Sequence, residues 1–285
     1  NVRYIFSELN KVSGNPYYTA LVWTTTFYTR PIITLGLSRN YLSGGLPTDR
    51  PFTTWDAALL PFEALFIDTK IINSEDEIGP HDFWDQTMAG FATMEFPNSR
   101  LKLFIELGTD DHRQNWMDLR SQPDHNTASI IGLRKYGLFN NRFLLGGFEY
   151  ANIKMSYTYK NRGGGQWWWK DFYDYSTYDG RRWAAHSGSD SDDFYLFFGY
   201  NDNDWTFIPG FNYERHGIIN GNPPEVKIEF RLDIRFIYKK YRINIYYEKE
   251  LLNNSEFVPN EVRRSNVFWF GLEKDLSELI HSFSN

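Results

Sequence analysis

The chain of 285 residues contains no cysteine. Disulfide bonds, thiolate nucleophiles and cysteine-ligated metal ions are therefore excluded. The absence fits an envelope protein that passes through an oxidising periplasm, although cytoplasmic proteins can lack cysteine as well.

Long apolar runs are also missing. No stretch approaches the roughly 18 apolar residues that indicate a transmembrane helix, and the mean hydropathy is −0.53. A helical membrane protein is thereby excluded. A transmembrane β-barrel is still possible, because the polar residues that line its interior lower the average hydropathy.

The sequence has no excess of positive charge. The formal net charge is −6, and basic residues are interspersed with acidic ones, so no cationic stripe is present to attract a phosphate backbone. We expect no nucleic-acid partner. The common motifs of hydrolases, nucleotide-binding loops, zinc proteases and dinucleotide-binding folds are missing too, so we assign no catalytic residue, no metal site and no cofactor.

Aromatic residues, in contrast, are abundant at 19%, with 24 Phe, 19 Tyr and 10 Trp. Such rings accumulate where a membrane protein meets the lipid–water boundary. A large β-sandwich or a sugar-binding surface would account for the same composition.

The clearest structural signal lies in residues 225–238, where apolar and charged residues alternate from Glu225 to Phe236. This period of two predicts a β-strand. Its length favours a membrane strand, because strands in soluble proteins average about 5–6 residues and a tilted membrane strand needs about 9–11. The mixed charges on one face suit either a water-facing soluble sheet or a barrel interior. A Lys239-Lys240 turn and a strand at 241–251 complete a predicted hairpin.

A less regular form of this alternation recurs along the chain and predicts about a dozen strands in all. The further strands are expected at 17–28, 31–38, 88–96, 101–107, 128–135, 143–152, 154–159, 193–200, 205–213 and 266–272. Short turns alternate with long polar segments, including one at 253–264, as in barrels with turns at one rim and loops at the other. Helical spacing predicts helices at 55–71 and 273–283, each a loop or rim element.

Four segments occur in the order in which they are found in one known family. They are PIITLGLSRNYLSGG (31–45), DQTMAGFATMEFPNSRLKLFIELGTDD (85–111), NTASIIGLRKYGLFNNRFLLGGFEYANI (126–153) and YDGRRWAAHSGSDSDDFYLFFGY (178–200). They resemble the capsule assembly protein Wzi family. The resemblance implies an all-β protein, a transmembrane antiparallel up-and-down β-barrel of about 18 strands with short helical rim elements. It also implies a location in the bacterial outer membrane and a role in binding or organising capsular polysaccharide.

The strand count sets the expected domain boundaries. About a dozen strands are fewer than the family barrel contains, so we expect residues 1–272 to be a barrel that lacks an N-terminal portion. Residues 273–285 follow the last predicted strand. We expect them to form a helical tail that could contact other envelope proteins.

The most unusual segment is GGGQWWWKDFYDYSTYDGRRWAAHSGSDSDD, residues 163–193. Aromatic faces stack on sugar rings, and arginines pair with the carboxylates of uronic acids. We therefore predict polysaccharide contacts at Trp167, Trp168, Trp169, Arg181 and Arg182. An aromatic anchor at the membrane rim and a loop folded into the barrel interior are alternative interpretations of the segment.

Three further groups of residues are weaker candidates. The set His186, Asp190, Asp192 and Asp193 offers oxygen ligands for Ca²⁺, but it lacks the spacing of a known calcium loop, so an acidic turn before a strand is favoured. We interpret Asp110, Asp111 and His112 as a solvated loop after a strand, and His216 as an interfacial or loop residue.

Two other classes of function stay open at this point. One is a general outer-membrane pore, or a barrel subunit of a larger secretion or envelope complex. The other is a soluble sugar-processing β protein of the periplasm. Detergent-dependent extraction separates the membrane proteins from the soluble one.

Overall fold

The computed structural model describes residues 1–9, 16–44, 53–66, 84–110, 120–121, 127–154, 177–178, 181–182, 187–188, 190–219 and 223–274. The strands are β1 (Val2–Glu8), β2 (Tyr17–Phe27), β3 (Ile32–Ser43), β4 (Trp84–Phe96), β5 (Leu101–Asp110), β6 (Thr127–Tyr136), β7 (Leu144–Ile153), β8 (Thr177–Tyr178), β9 (Arg181–Arg182), β10 (Ser191–Asn201), β11 (Trp205–His216), β12 (Glu225–Tyr238), β13 (Tyr241–Asn253) and β14 (Val262–Lys274). The helix α1 (Thr54–Phe66) lies between β3 and β4.

The prediction of an all-β protein is confirmed. Twelve strands form one antiparallel up-and-down sheet in the order β1-β2-β3-β4-β5-β6-β7-β10-β11-β12-β13-β14. The two-residue strands β8 and β9 pair separately. Short turns explain part of the meander, because adjacent strands joined in this way, such as β12 and β13, pair with each other most readily.

The chain divides into two compact units. Unit 1 comprises Asn1–Met94, Phe104–Ile130 and Asn152–Ser191, and unit 2 comprises Glu95–Leu103, Ile131–Ala151 and Asp192–Asn285. In unit 1 a small apolar cluster joins Leu9, Leu42 and Tyr18. In unit 2 the most completely buried side chains include the charged residues Glu214 and Glu229.

The alternation of apolar and polar residues predicted the positions of most strands correctly. The predicted hairpin forms with 14 residues in β12 and 13 in β13, and Lys239 takes the left-handed backbone conformation at the turn. The polar connection after β13 is shorter than predicted and spans residues 254–261, with one 3-10 turn at Ser255–Phe257. Strand β1 is an addition to the prediction, and the predicted strand at 154–159 lies outside the described residues apart from Lys154.

The first predicted helix is present as α1 and begins one residue earlier than expected. Thr53 fixes this start because its Oγ1 accepts from Asp56 N at 3.2 Å, while Thr53 N donates to Asp56 Oδ2 at 2.7 Å. This reciprocal pair is a capping box. Within the described part of the chain, no helix is long and apolar enough to cross a membrane.

The end of the chain is described only in part. Strand β14 includes Glu273 and Lys274, so the last strand extends two residues into the segment predicted as a helical tail. The rest of that predicted tail, residues 275–285, lies outside the described residues.

Candidate functional site

A group of charged side chains lies on one face of β11, β12 and β13 in unit 2. The register places Glu214 opposite Lys227 and Asn212 opposite Glu229. Across the next strand pair, Glu229 lies opposite Glu250 and Arg231 opposite Glu248. Residues that are paired across antiparallel strands point to the same face. We call this group the polar ladder: Asn212, Glu214, Lys227, Glu229, Arg231, Glu248 and Glu250.

Lys227 connects two carboxylates of the polar ladder. Its Nζ lies 2.7 Å from Glu214 Oε2 and 3.6 Å from Glu229 Oε2. Glu214 and Glu229 are each only 2% exposed. A buried carboxylate requires a compensating partner, so Lys227 makes the burial of both acids possible.

Arg231, further along β12, also connects two carboxylates of the polar ladder. Its Nε donates to Glu229 Oε1, and it lies 3.6 Å from Glu248 Oε2. The Tyr246 hydroxyl donates to the same oxygen, Glu248 Oε2. The guanidinium also lies over the Tyr195 ring, 5.6 Å from the ring centroid. Arg231 is therefore held by carboxylates and an aromatic ring together.

Three carboxylates of the polar ladder come close enough to share an ion. Ligand oxygens of Glu229, Glu248 and Glu250 all lie within 4.8 Å of one another. Lys227 and Arg231 already compensate part of this charge. The carboxylates of the polar ladder accept hydrogen bonds, and its lysine and arginine side chains donate them. This combination of groups can bind ions, water and the hydroxyl groups of sugars.

The opposite face of the same strands carries exposed apolar residues. Phe211 lies opposite Phe230, and both point away from the polar ladder. They are 40% and 44% exposed, whereas the ladder carboxylates Glu214 and Glu229 are buried. Other large side chains exposed on this face are Phe194, Leu196, Phe198, Phe207, Phe268, Phe270 and Leu272. Unit 2 therefore reverses the usual arrangement, with charge buried and aromatic surface exposed.

Some weaker sequence candidates acquire structural roles. Asp192 accepts two hydrogen bonds from Arg215, from Nε to Oδ1 at 2.8 Å and from Nη2 to Oδ2 at 2.5 Å. His216 is the last residue of β11, where its Nε2 contacts Glu214 Oε1. Asp192 thus belongs to an ion pair at the start of β10.

Of the predicted polysaccharide contacts, only Arg181 and Arg182 are described, and these at the backbone alone. Thr177 pairs with Arg182 and Tyr178 with Arg181 in the β8–β9 hairpin. Trp167, Trp168 and Trp169 lie outside the described residues, and so do His186, Asp111 and His112.

The alternating charges of β12 were visible in the sequence, but the polar ladder as a site was not. The missing information was the register with β11 and β13, which pairs Lys227 with Glu214 and Arg231 with Glu248. Asn212 and Glu214 are two residues apart in β11, and this spacing was a detectable signal that both lie on one face of the strand.

Comparison of the whole chain with known protein families, curated proteins and solved structures gave no match in any of the three. The resemblance to the capsule assembly protein Wzi family stays a prediction.

Proposed function

We propose that this protein is an outer-membrane β-barrel that binds or organises polysaccharide at the bacterial cell surface. The observation that carries the proposal is the reversed arrangement of unit 2. Aromatic residues such as Phe211 and Phe230 are exposed on one face, and the carboxylates Glu214 and Glu229 are buried on the other. A barrel wall has this arrangement, with lipid outside and a polar interior.

The energetics favour lipid over water on the apolar face. Each apolar Å² removed from water contributes about 25 cal/mol, and this face presents large aromatic residues on neighbouring strands. The strand lengths agree, since β11, β12 and β13 contain 12, 14 and 13 residues, and a tilted membrane strand needs about 9–11. A soluble protein with so large an exposed apolar surface would aggregate.

Polysaccharide is the favoured ligand for two reasons. The β8–β9 hairpin brings the backbone of Arg181 and Arg182 into register with Tyr178 and Thr177, and arginine and tyrosine are side chains that bind acidic sugars. The tryptophans at 167–169 occur in the same connection between β7 and β10. Long connections of this kind lie on the extracellular side of outer-membrane barrels.

The membrane location is testable by single-cysteine labelling, because the chain has no cysteine of its own. Spin labels are placed at Phe230, Leu232 and Ile234 on one face of β12, and at Asp233 and Arg235 on the other. In liposomes, we expect dissolved oxygen to increase the spin relaxation rate of the labels in the first set. A water-soluble nickel chelate should increase the relaxation rate of the labels in the second set. Equal access of the nickel chelate to both sets would overturn the membrane assignment.

Polysaccharide binding requires a separate test. The triple variant Trp167→Ala/Trp168→Ala/Trp169→Ala and the double variant Arg181→Gln/Arg182→Gln are compared with wild type for binding to purified surface polysaccharide. The matched control is Arg235→Gln, which changes an arginine on the charged face of β12. We expect binding to fall in both loop variants and to persist in the control. Unchanged binding in both loop variants would remove the polysaccharide assignment.

A pore is the second candidate, and the polar ladder is the observation that favours it. Side chains of both signs on one face are typical of the lumen of outer-membrane channels. Conductance across planar bilayers tests this. A change in ion selectivity in Arg235→Gln, which removes an exposed cation from the same face of β12, with polysaccharide binding unaltered, would favour the pore.

A further inference from the structure

Helix α1 packs against one face of the sheet in unit 1. Thr19 Oγ1 on β2 donates to the Ala57 carbonyl oxygen at 2.9 Å, and the Tyr4 hydroxyl on β1 donates to the Ala58 carbonyl oxygen at 2.9 Å. Ala57 is completely buried, and Leu60 is nearly so. The helix is therefore fixed to the strands along the side that carries Ala57 and Leu60.

A second side of α1 is apolar and exposed, although Phe62 at its end also packs against the Tyr4 ring of β1, with 5.5 Å between the ring centroids. Trp55, Leu59 and Phe62 are 75%, 47% and 36% exposed. Their spacing of four and three residues places them on one helical stripe. Helices at the surface of a water-soluble protein direct polar residues outward. We call these three residues the α1 stripe.

The sheet face beneath α1 continues as an exposed apolar surface. Thr19 and Trp23 point to the same side of β2, and Trp23 lies opposite Leu37 on β3. Thr25, on that side too, lies opposite Leu35. Trp23, Leu35 and Leu37 are all exposed. The α1 stripe and this part of the sheet therefore present apolar side chains on the same side of unit 1.

The helix covers only one end of that face. Tyr41 and Ser43, which lie opposite Thr19 and Tyr17, are fully buried. Leu35 and Leu37, nearer the other end of β3, are uncovered. In a wall whose strands cross a membrane, the end of a strand is the level at which acyl chains give way to headgroups.

A cation lies on the same face, between the covered and uncovered regions. Arg39 is opposite Leu21, two residues from both Leu37 and Tyr41. Its Nη2 donates to Gln86 Oε1 at 2.9 Å, and its guanidinium lies 5.2 Å from the centroid of the Tyr41 ring. Within the described part of the chain, no carboxylate pairs with it. A half-buried guanidinium without an acid is suited to a phosphate.

We propose that α1 is an interfacial helix on the lipid side of unit 1. The α1 stripe inserts at the boundary between acyl chains and headgroups, and Arg39 binds the phosphate of a phospholipid. This inference rests on the proposed membrane location. It goes further in assigning a lipid-binding surface with defined residues. Interfacial helices insert an aromatic and aliphatic face in this way.

Fluorescence quenching tests the proposal in liposomes of phosphatidylcholine and phosphatidylglycerol. Single-cysteine variants carry an environment-sensitive fluorophore at Leu59, at Leu37 or, as the water-exposed control, at Asn98 in the β4–β5 turn. Bromine atoms are placed either near the headgroup or near the end of the acyl chain. We expect the Leu59 label to lose most fluorescence with bromine near the headgroup, and the Leu37 label with deeper bromine. The Asn98 label should lose little in either case.

The outcomes separate the two proposals. If the Leu37 label is quenched and the Leu59 label is not, the membrane location stands and the interfacial helix is wrong, because water or protein covers the α1 stripe instead. If neither label is quenched, the proposed membrane location fails first. Each label is a single exposed substitution, so folding is expected to be retained.

Native mass spectrometry tests the phosphate contact. Wild type, Arg39→Lys and Arg39→Gln are released from detergent containing phosphatidylglycerol, with Arg235→Gln as a control for loss of a different arginine. We expect Arg39→Gln to lose bound lipid, Arg39→Lys to keep part of it, and the control to match wild type. Equal lipid retention in Arg39→Gln and wild type would overturn the role of Arg39.

Discussion

Lys227 Nζ lies 2.7 Å from Glu214 Oε2, directly across the β11–β12 pair. Glu214 is buried, and the Lys227 side chain is 19% exposed. The pair therefore differs from surface ion pairs such as Lys102 with Glu95, in which both side chains are more than 40% exposed. Surface pairs contribute about 0–1 kcal/mol to stability, whereas breaking a buried pair leaves an uncompensated charge.

Replacing Lys227 with Met should destabilise the protein strongly. We expect the free energy of unfolding to fall by about 3 kcal/mol, because Glu214 loses its cross-strand cation while still buried. Adding Glu214→Gln to this variant should restore part of the loss. Urea unfolding in detergent, followed by tryptophan fluorescence, gives the three values.

The matched control for this prediction is Lys102→Met, which removes an exposed partner of Glu95. We expect it to change the free energy of unfolding by less than about 1 kcal/mol. Equal effects of Lys227→Met and Lys102→Met would show that water screens the polar ladder as it screens an ordinary surface.

Gly147→Ala should be destabilising for a steric reason. A Cβ at Gly147 would lie 2.5 Å from the Leu133 carbonyl oxygen and 2.8 Å from Phe197 Cζ. We expect a loss of about 1–3 kcal/mol, as in other overpacked sites. Gly90→Ala is the control, since its Cβ would lie 3.4 Å from the nearest atom, Leu37 Cδ2. Similar stabilities of the two variants in urea unfolding would contradict this account.

Much of the sheet could be predicted because long strands with period two leave few alternatives. From Glu225 to Phe236 in β12, each apolar residue has a charged neighbour, so the pattern itself defines two faces. Strand β1 gave no such signal, because Tyr4, Ile5 and Phe6 are consecutive. Its pairing with β2 depends on contacts distant in sequence, such as Tyr4 with Leu21.

The candidate site was harder to predict than the strands. Alternation indicated that Lys227 and Glu229 share a face, but only the register identifies Glu214 as the partner of Lys227. A shift of one residue would place Glu214 on the opposite side of the sheet. The α1 stripe posed a different difficulty, because apolar residues at helical spacing normally indicate the buried side of a helix.

The turn between β10 and β11 should confer a pH-dependent stability. Hydrogen bonds hold the pKa of Asp202 below its usual value, chiefly the bond from the Tyr200 hydroxyl and then that from the Trp205 backbone N–H. The stabilisation is therefore fully present above the unfolded pKa, about 3.9, and is lost as the pH falls through the lower folded pKa. Urea unfolding between about pH 2 and pH 6 should show this loss in wild type.

Two variants check that Asp202 is responsible. Asp202→Asn should remove its share of the pH dependence, since the amide does not titrate in this range. Tyr200→Phe removes the main hydrogen-bond donor, so the pKa of Asp202 should rise towards its usual value. A carboxyl titration followed by NMR measures that rise directly, and an unchanged pKa in Tyr200→Phe would contradict the assignment of its cause.

The bidentate pair of Arg215 with Asp192 should depend on the shape of the guanidinium as well as on its charge. Asp192 is largely buried and receives two hydrogen bonds, which a lysine at position 215 cannot reproduce. We expect Arg215→Lys to lower the free energy of unfolding by about 1.5 kcal/mol, the contribution of a hydrogen bond to a charged group. Arg235→Lys is the matched control, because Arg235 also makes two bonds to a carboxylate, that of Asp233, but both side chains are more exposed. If the two variants lose the same stability in urea unfolding, burial of Asp192 is not what makes its pair with Arg215 strong.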